Sequence, residues 1–362
     1  MKFKLEKKNW FILGPLLIGL LTAGLFALFY RPESKEPLSP IPPLNLTATP
    51  YSVPTEPIPP APDIYEKGFI NTLLIGYGGP GHSGSHLADT LQLIQLNYET
   101  KKAFLISIPR DLWVNLAADF QTEHWEKINE SFAQGGGSLS KKVVNEVTGL
   151  PVDFFAAINF GGFTSLIDRL GGIEVNVPIA FDDPFYPIKG RENDACGLSD
   201  EEFGKVLATK NKTEIDRALS CRFDHLYFEA GLQVMDGETA LKFVRSRRSS
   251  QHGGDFARSQ RQQAVLIGLK NKLLGLEIFK NPLDFYRQAI SLVQTDINQE
   301  TIPQFLKLGI DPGEYEIKKI NLTDQNVLTA STSPIGQFIL IPKSGAGNWQ
   351  EIQDYLKEEM SS

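Results

Sequence analysis

The hydrophobic pattern divides the 362-residue chain into stretches of different kinds. From Trp10 to Tyr30, twenty-one residues run without a charge (WFILGPLLIGLLTAGLFALFY). At ~1.5 Å per residue a helix of that length spans the ~30 Å hydrocarbon core of a bilayer. From Arg31 to Pro62 the periodicity vanishes and 11 of the 23 prolines appear, a composition that favours polyproline II and reads as a stiff spacer. Beyond it, short apolar runs alternate with helical patterns. Phe69–Ile75, Leu91–Asn97 and Ala103–Ile108 predict strands, the last two joined hairpin-fashion through Tyr98–Lys102. Helices are predicted at 138–148 and 162–170, a strand at Ile173–Val177, and a polar insertion over 182–225. Further helices follow at Gly237–Val244 and Phe256–Leu276, the second with Val265, Leu266, Leu269, Leu273 and Leu274 at helical spacing. The remainder predicts helices at 282–297 and 301–309, a strand at 315–321 and a terminal amphipathic helix at 348–360. Strands mixed with helices predict an α/β fold with a mixed central sheet sandwiched by helices, preceded by an N-terminal transmembrane helix.

The organisation read from these patterns is a basic flank (1–9), a transmembrane helix (10–30), a Pro-rich linker (31–66), a main domain (67–298) and a C-terminal extension (299–362). The extension is either a small appendage or extra strands on the main sheet. Composition changes this picture in two places. The sum of 36 Lys and Arg against 43 Asp and Glu gives −7, which argues against nucleic acid as a partner held by general positive charge. Residues 1–30, however, hold four Lys and one Glu, and all four Lys precede the apolar span. The positive-inside rule therefore keeps the N-terminus in the cytoplasm and puts residues 31–362 outside a cell membrane crossed once. A cleaved signal peptide would have a shorter apolar core ending in small residues, whereas this one ends on Phe29-Tyr30-Arg31. The two cysteines, Cys196 and Cys221, both fall in the exterior part. An oxidising compartment permits one disulfide between them, and two free buried thiols are the alternative.

Several motifs carry candidate chemistry. Gly76-Tyr-Gly78-Gly-Pro-Gly81 spells G-x-G-x-x-G, but no helix pattern opens in that loop, so a glycine-rich loop beside a site is the better reading. His82 and His86 lack the helical spacing that zinc binding would want and read as loop histidines. Asp89 immediately precedes a strand, where a carboxylate is either functional or caps a turn. Residues 245–261 hold five Arg, one Asp and no Lys. Arginine offers a planar fork that binds phosphate bidentately and keeps its proton, so this segment reads as an anion pocket, with a salt-bridge network as the alternative. With Asp255 as expected N-cap, Arg258, Arg261 and Gln262 fall at i, i+3 and i+4, on one helix face.

Together with SIPRDLWV (107–114), KINESFAQGGG (127–137), DRLGGIEVNVP (168–178), GLQVMDGETALKFVRSR (231–247) and GDFARSQRQQ (254–263), these residues resemble the LytR-CpsA-Psr (LCP) family of cell-wall ligases over Phe69–Lys272. The resemblance implies a single-pass membrane enzyme with an extracytoplasmic catalytic domain. It would be a phosphotransferase moving a glycopolymer from a polyprenyl-pyrophosphate carrier to a peptidoglycan hydroxyl. A tunnel would take the lipid tail, and membrane lipid, the carrier-linked glycan donor and the peptidoglycan acceptor would be the partners. Carried over by position, Arg110, Arg245, Arg247, Arg258 and Gln262 would contact the pyrophosphate. Asp89 would act with Arg110, Arg245 and Arg247 in catalysis, as a ligand of Mg2+ or a general base. The chain departs from the family pattern at Gly78, where a carboxylate is expected, and at Leu87-Ala88, where Arg-Ser usually precedes Asp-Thr. Asp111 would either replace the missing carboxylate or orient Arg110. A pyrophosphatase of lipid-linked sugars and a non-catalytic, membrane-tethered anionic-glycan binding protein are the competing functions.

Overall fold

The computed structural model describes residues 67–82, 84–117, 122–209, 211–274, 291–298, 301–308 and 314–361. The expected transmembrane helix (10–30) and linker (31–66) lie outside these residues. Among the described residues no helix is long and apolar enough to cross a membrane.

The chain begins with an antiparallel meander of β1 (Phe69–Tyr77), β2 (Ala88–Asn97) and β3 (Lys102–Ser107), followed by the small β4 (Trp113–Asn115) and β5 (Trp125–Lys127). Then come α1 (Glu130–Thr148), β6 (Phe154–Asn159), α2 (Phe160–Arg169) and β7 (Ile173–Val177). The expected polar insertion contains β8 (Phe181–Pro187), α3 (Asp200–Ala208), α4 (Lys212–Ala218) and β9 (Phe223–Phe228), with Cys196 and Cys221 joined as a disulfide. After it run β10 (Gly231–Met235), α5 (Gly237–Arg245), α6 (Gly254–Leu274), β11 (Val293–Thr295) and α7 (Thr301–Lys307). Last are β12 (Glu316–Asn321), the hairpin β13 (Leu328–Thr332) and β14 (Phe338–Pro342), and α8 (Gln350–Ser361).

Six strands form the central sheet in the order β11-β6-β1-β2-β3-β12. β6 runs parallel to β1 and β12 parallel to β3, and the other pairs are antiparallel, so the sheet is mixed, as the pattern predicted. β1 is buried on both faces, which explains why Leu73, Leu74 and Ile75 follow one another without alternation. α1 and α8 pack on one face, and α2, α5 and α6 lie over the other. One expectation changes. Where a helix was read over 282–297, residues 293–295 form the edge strand β11, because Val293 pairs with β6 and packs into the sheet core; residues 282–290 lie outside the described set. Of the two placements read for the segment after 299, it takes the second, supplying β12 to the main sheet and α8 to its core.

Candidate functional site

The C-terminal end of α5, the loop 246–253 and the first turns of α6 meet the β1–β2 loop and the start of β8. Local structure fixes each part. Asp236 caps α5 by accepting from the Thr239 N–H, and Asp168 of α2 accepts from the Gly237 N–H at 2.7 Å. Gly237 allows this approach, since a Cβ there would stand 2.3 Å from the Thr164 carbonyl oxygen. α5 is thereby docked on α2 with Arg245 at its exit.

The loop that follows is held by two buried side chains of opposite charge. Asp183, 1% exposed, accepts from the Ser246 hydroxyl (2.7 Å) and from the Arg247 and Arg248 N–H groups (3.0 Å each), while its other oxygen takes the Phe185 N–H. Arg261, fully buried, donates to the carbonyls of Phe243, Ser246 and His252, with its guanidinium over the Phe181 ring. Burial lowers its guanidinium to about 10. The expected grouping of Arg258, Arg261 and Gln262 on one working face is therefore corrected. Arg258 and Gln262 line the cavity beside the loop, whereas Arg261 points into the protein, because the loop's carbonyls need a donor that water cannot supply.

Asp89, Arg245, Arg247, Arg258 and Gln262 come together around a polar cavity of 510 Å³, and Arg110 reaches its rim through Asp89. Arg110 donates to Asp89 Oδ1 at 2.6 Å. Asp255, expected as an N-cap, lies inside the first turn of α6 and instead ties the arginines together, at 2.6 Å from Arg247 and 2.8 Å from Arg258. Burial opposes its ionisation, but Arg258, Arg247 and Arg110 hold its carboxyl below the usual range. Arg258 also donates to the Asp89 carbonyl. Burial, reinforced by Arg110 and Arg247 against the pull of Asp255, lowers Arg258 to about 10. Arg245 lies over the Phe160 ring (4.4 Å) and donates to the Tyr186 hydroxyl at 3.3 Å. Gln262 donates to the Thr90 hydroxyl at 2.7 Å.

Asp111 turns away from the cavity to Lys127 (2.6 Å), so of its two expected roles only contact with Arg110, at 3.5 Å, is left. At Gly78 a Cβ would stand 3.0 Å from that of His82. The imidazole of His82 thus occupies the space beside the missing carboxylate, edge-on to Phe160. Burial, then Arg245 and Lys189, lower its pKa. Sequence reasoning missed Asp183, Tyr186 and Lys212, which line the cavity. Arg248 was counted among the five arginines of 245–261, but its pairing with Asp216 of α4 depends on the folding of the insertion. Asp183 had no periodicity to mark it.

A second cavity, apolar and of 130 Å³, lies between the sheet and α2, α5 and α6, lined among others by Leu74, Ala156, Leu241, Val265, Leu266 and Leu269. Thr90, Phe160, Val244 and Gln262 border both cavities.

The sequence model of the LytR_cpsA_psr family matches residues 50–338. A polyisoprenyl-teichoic acid–peptidoglycan teichoic acid transferase, TagV of Bacillus subtilis, is 28% identical over 301 residues, covering 82% of this chain and 66% of the relative. A TagU of the same description from Enterococcus faecalis is 25% identical over 238 residues, covering 65% of this chain and 64% of the relative. The chain therefore spans slightly less than two thirds of the length of these curated relatives. The crystal structure of B. subtilis TagV superposes with a TM-score of 0.57 at 24% identity, over 82% of this chain and 98% of that one, which establishes a shared fold. With the family match spanning most of its length, the chain belongs to the LytR_cpsA_psr family.

Proposed function

We propose that this protein transfers a glycopolymer from a polyprenyl-pyrophosphate carrier to a hydroxyl of peptidoglycan, outside the cell membrane, with residues 10–30 as its anchor. The observation that carries this reading is the charge at the junction of the two cavities. Among the described residues Arg110, Arg247 and Arg258 pair with Asp89, Asp255 and Asp111, the last of which also holds Lys127, Arg245 has no carboxylate partner, and Arg248 pairs with Asp216. With Lys212 also lining the cavity, the cluster keeps a net positive charge that suits the anionic diphosphate of a carrier. The Nε atoms of Arg110 and Arg258 are also buried without a hydrogen-bond acceptor, a costly state that an incoming phosphate oxygen relieves. An apolar cavity on one side and a polar one on the other suit a ligand with a lipid tail, an anionic joint and a sugar head. The apolar cavity has room for the start of a polyprenyl chain and not for its whole length.

In this reading the acceptor hydroxyl attacks the sugar-proximal phosphorus while its proton passes to Asp89 or water, the bridge to the lipid phosphate breaks, and polyprenyl phosphate leaves. The arginines, already oriented by Asp183, Asp255 and Arg261, hold the charge on the oxygens of the attacked phosphorus without reorganisation, which is where electrostatic catalysis gains most. The family implies Mg2+. At the arginine cavity the donor set is lean: Asp255 is engaged on both oxygens and Asp89 on Oδ1. Among the described residues the one convergence of three metal-ligating groups, Asp194 with Cys196 and Cys221, has its sulfurs in the disulfide. Asp89 Oδ2 fits Mg2+ as a single protein ligand, since this ion takes one or two carboxylates and fills its shell with water and phosphate oxygens. Bound there it would add to the charge neutralisation supplied by the arginines.

The test is incubation of the full-length protein in detergent with a polyprenyl-pyrophosphate-linked oligosaccharide and peptidoglycan fragments. The expected result is a glycan–peptidoglycan conjugate and released polyprenyl phosphate, with Arg247→Ala slower by about 100-fold, the scale for one transition-state cation contact. Lipid phosphate released without any conjugate would replace transfer by hydrolysis. Tight binding with no turnover would leave a non-catalytic binding protein.

A further inference from the structure

The apolar cavity contains one group that does not belong in an apolar cavity. Gln92 sits in the middle of β2, 1% exposed, and both its amide nitrogen and its amide oxygen lack a hydrogen-bond partner. Its strand neighbours Leu91 and Leu93 belong to the core on the opposite face of the sheet. The alternation of the strand puts Gln92 on the same face as Thr90 and Ile94, and Gln92 and Thr90 both line the cavity. Thr90 already accepts from Gln262, which borders the arginine cavity as well. Gln262, Thr90 and Gln92 thus form a polar row that starts at the arginines and ends inside the apolar space.

A buried amide with neither of its groups satisfied costs about 1–3 kcal/mol per group, and leucine at the same place would cost nothing of the kind. Among the described residues nothing supplies Gln92 with a partner. A ligand entering from the junction would. We infer that Gln92 is a substrate-binding residue whose amide N–H donates to the phosphate nearest the polyprenyl chain, so that this phosphate sits deeper than the arginine cluster and the other lies among the arginines. The inference rests on the carrier reading above. It extends that reading by separating the two phosphates, one held by charge and one by a neutral amide. Of the two, the lipid-side phosphate is the one that departs with the tail, and a neutral donor holds it without trapping it.

Gln92→Leu in the full-length protein tests the assignment with two measurements that a structural role would move together. The expected result is a higher melting temperature, because an unsatisfied amide is gone, combined with an affinity for polyprenyl diphosphate about 10-fold weaker, from the lost hydrogen bond to a charged group. Affinity for the corresponding polyprenol, which has no phosphate, is expected to match wild type. A variant that binds the diphosphate as well as wild type would overturn the inference alone. So would a lower melting temperature with unchanged affinity, which would assign Gln92 to packing. Wild-type protein that binds no polyprenyl diphosphate would remove the carrier reading, and this inference with it.

Discussion

On one face of the sheet Leu73, Leu93, Phe104 and Ile106 meet Val143, Val144 and Val147 of α1 and Ile352 and Leu356 of α8, and these helix residues are at most 1% exposed. On the other face Leu74, Ile94 and Ala156 look toward Leu266 of α6, and part of the space between sheet and helices is cavity. The two faces use the same residue types and the same pleat. They differ in whether the helices close down onto the strands. α8 lies against α1 and seals its face, whereas α5 and α6 are held by their own contacts with α2 and β7, with Gly237 and Gly268 allowing backbone to approach within reach of Thr164 and Glu174. Because α5 and α6 are anchored sideways, they can stand off the sheet without falling onto it. The stable face and the working face are thus separated by how their helices are fastened, and not by composition.

Truncation on the sealed face should break this comparison most severely. Ile352→Ala removes a fully buried side chain from the α8 contact and is expected to cost about 3–4 kcal/mol of stability. Denaturant unfolding measures it, and the protein still folded should bind carrier as wild type does. Next comes Asp183→Asn. It puts an amide where a carboxylate accepts four hydrogen bonds from the arginine loop and its surroundings. A loss of about 2 kcal/mol is expected, but with carrier affinity reduced by more than stability alone explains, because the Arg247 and Arg248 backbones lose their register. A stability loss with unchanged affinity would demote Asp183 to packing. Smaller again is Leu266→Trp, which fills the apolar cavity from α6. Affinity for polyprenyl diphosphate should fall about 10-fold, affinity for inorganic pyrophosphate should not change, and the melting temperature should hold or rise. A melting temperature that falls as it does for Ile352→Ala would mean that the two faces are packed alike.

Much of this was legible along the chain, and what was not has a physical reason. β1, β2, β3, β7 and β12 show as runs because their apolar residues face cores, and α6 shows because Val265 and Leu269 recur at helical spacing. The arginines show because five of them fall within seventeen residues. β11 did not show: three residues pair at an edge, and Val293 alone faces the core. Helical phase did not separate Arg261 from Arg258, because it gives only a direction, and the two differ in which groups wait in that direction, a cavity for one and a ring of carbonyls for the other. Gln92 and Asp183 were invisible for the same reason. Each matters through the partners it lacks or gathers from distant segments, and those exist only once the sheet and the insertion have folded.

The smallest expected effect concerns acid, and it distinguishes the two faces by kind. Asp255 is held below the ordinary carboxyl value although burial pushes the other way, because Arg258, Arg247 and Arg110 surround it. A carboxyl with a depressed folded value adds stability that is fully present above its unfolded value, near 3.8, and is lost as pH falls through the folded one. Wild type should therefore exceed Asp255→Asn in stability by a constant amount from neutrality down to about pH 5, and the gap should close as the pH falls below about 4. The deficit of Ile352→Ala, which involves no titrating group, should stay constant over the same range. Melting curves of the three proteins from pH 7 to pH 3 make the comparison. An Asp255→Asn gap that persists unchanged to pH 3 would mean that the carboxylate is not what holds the arginines together, and that the working face, like the sealed one, depends on packing.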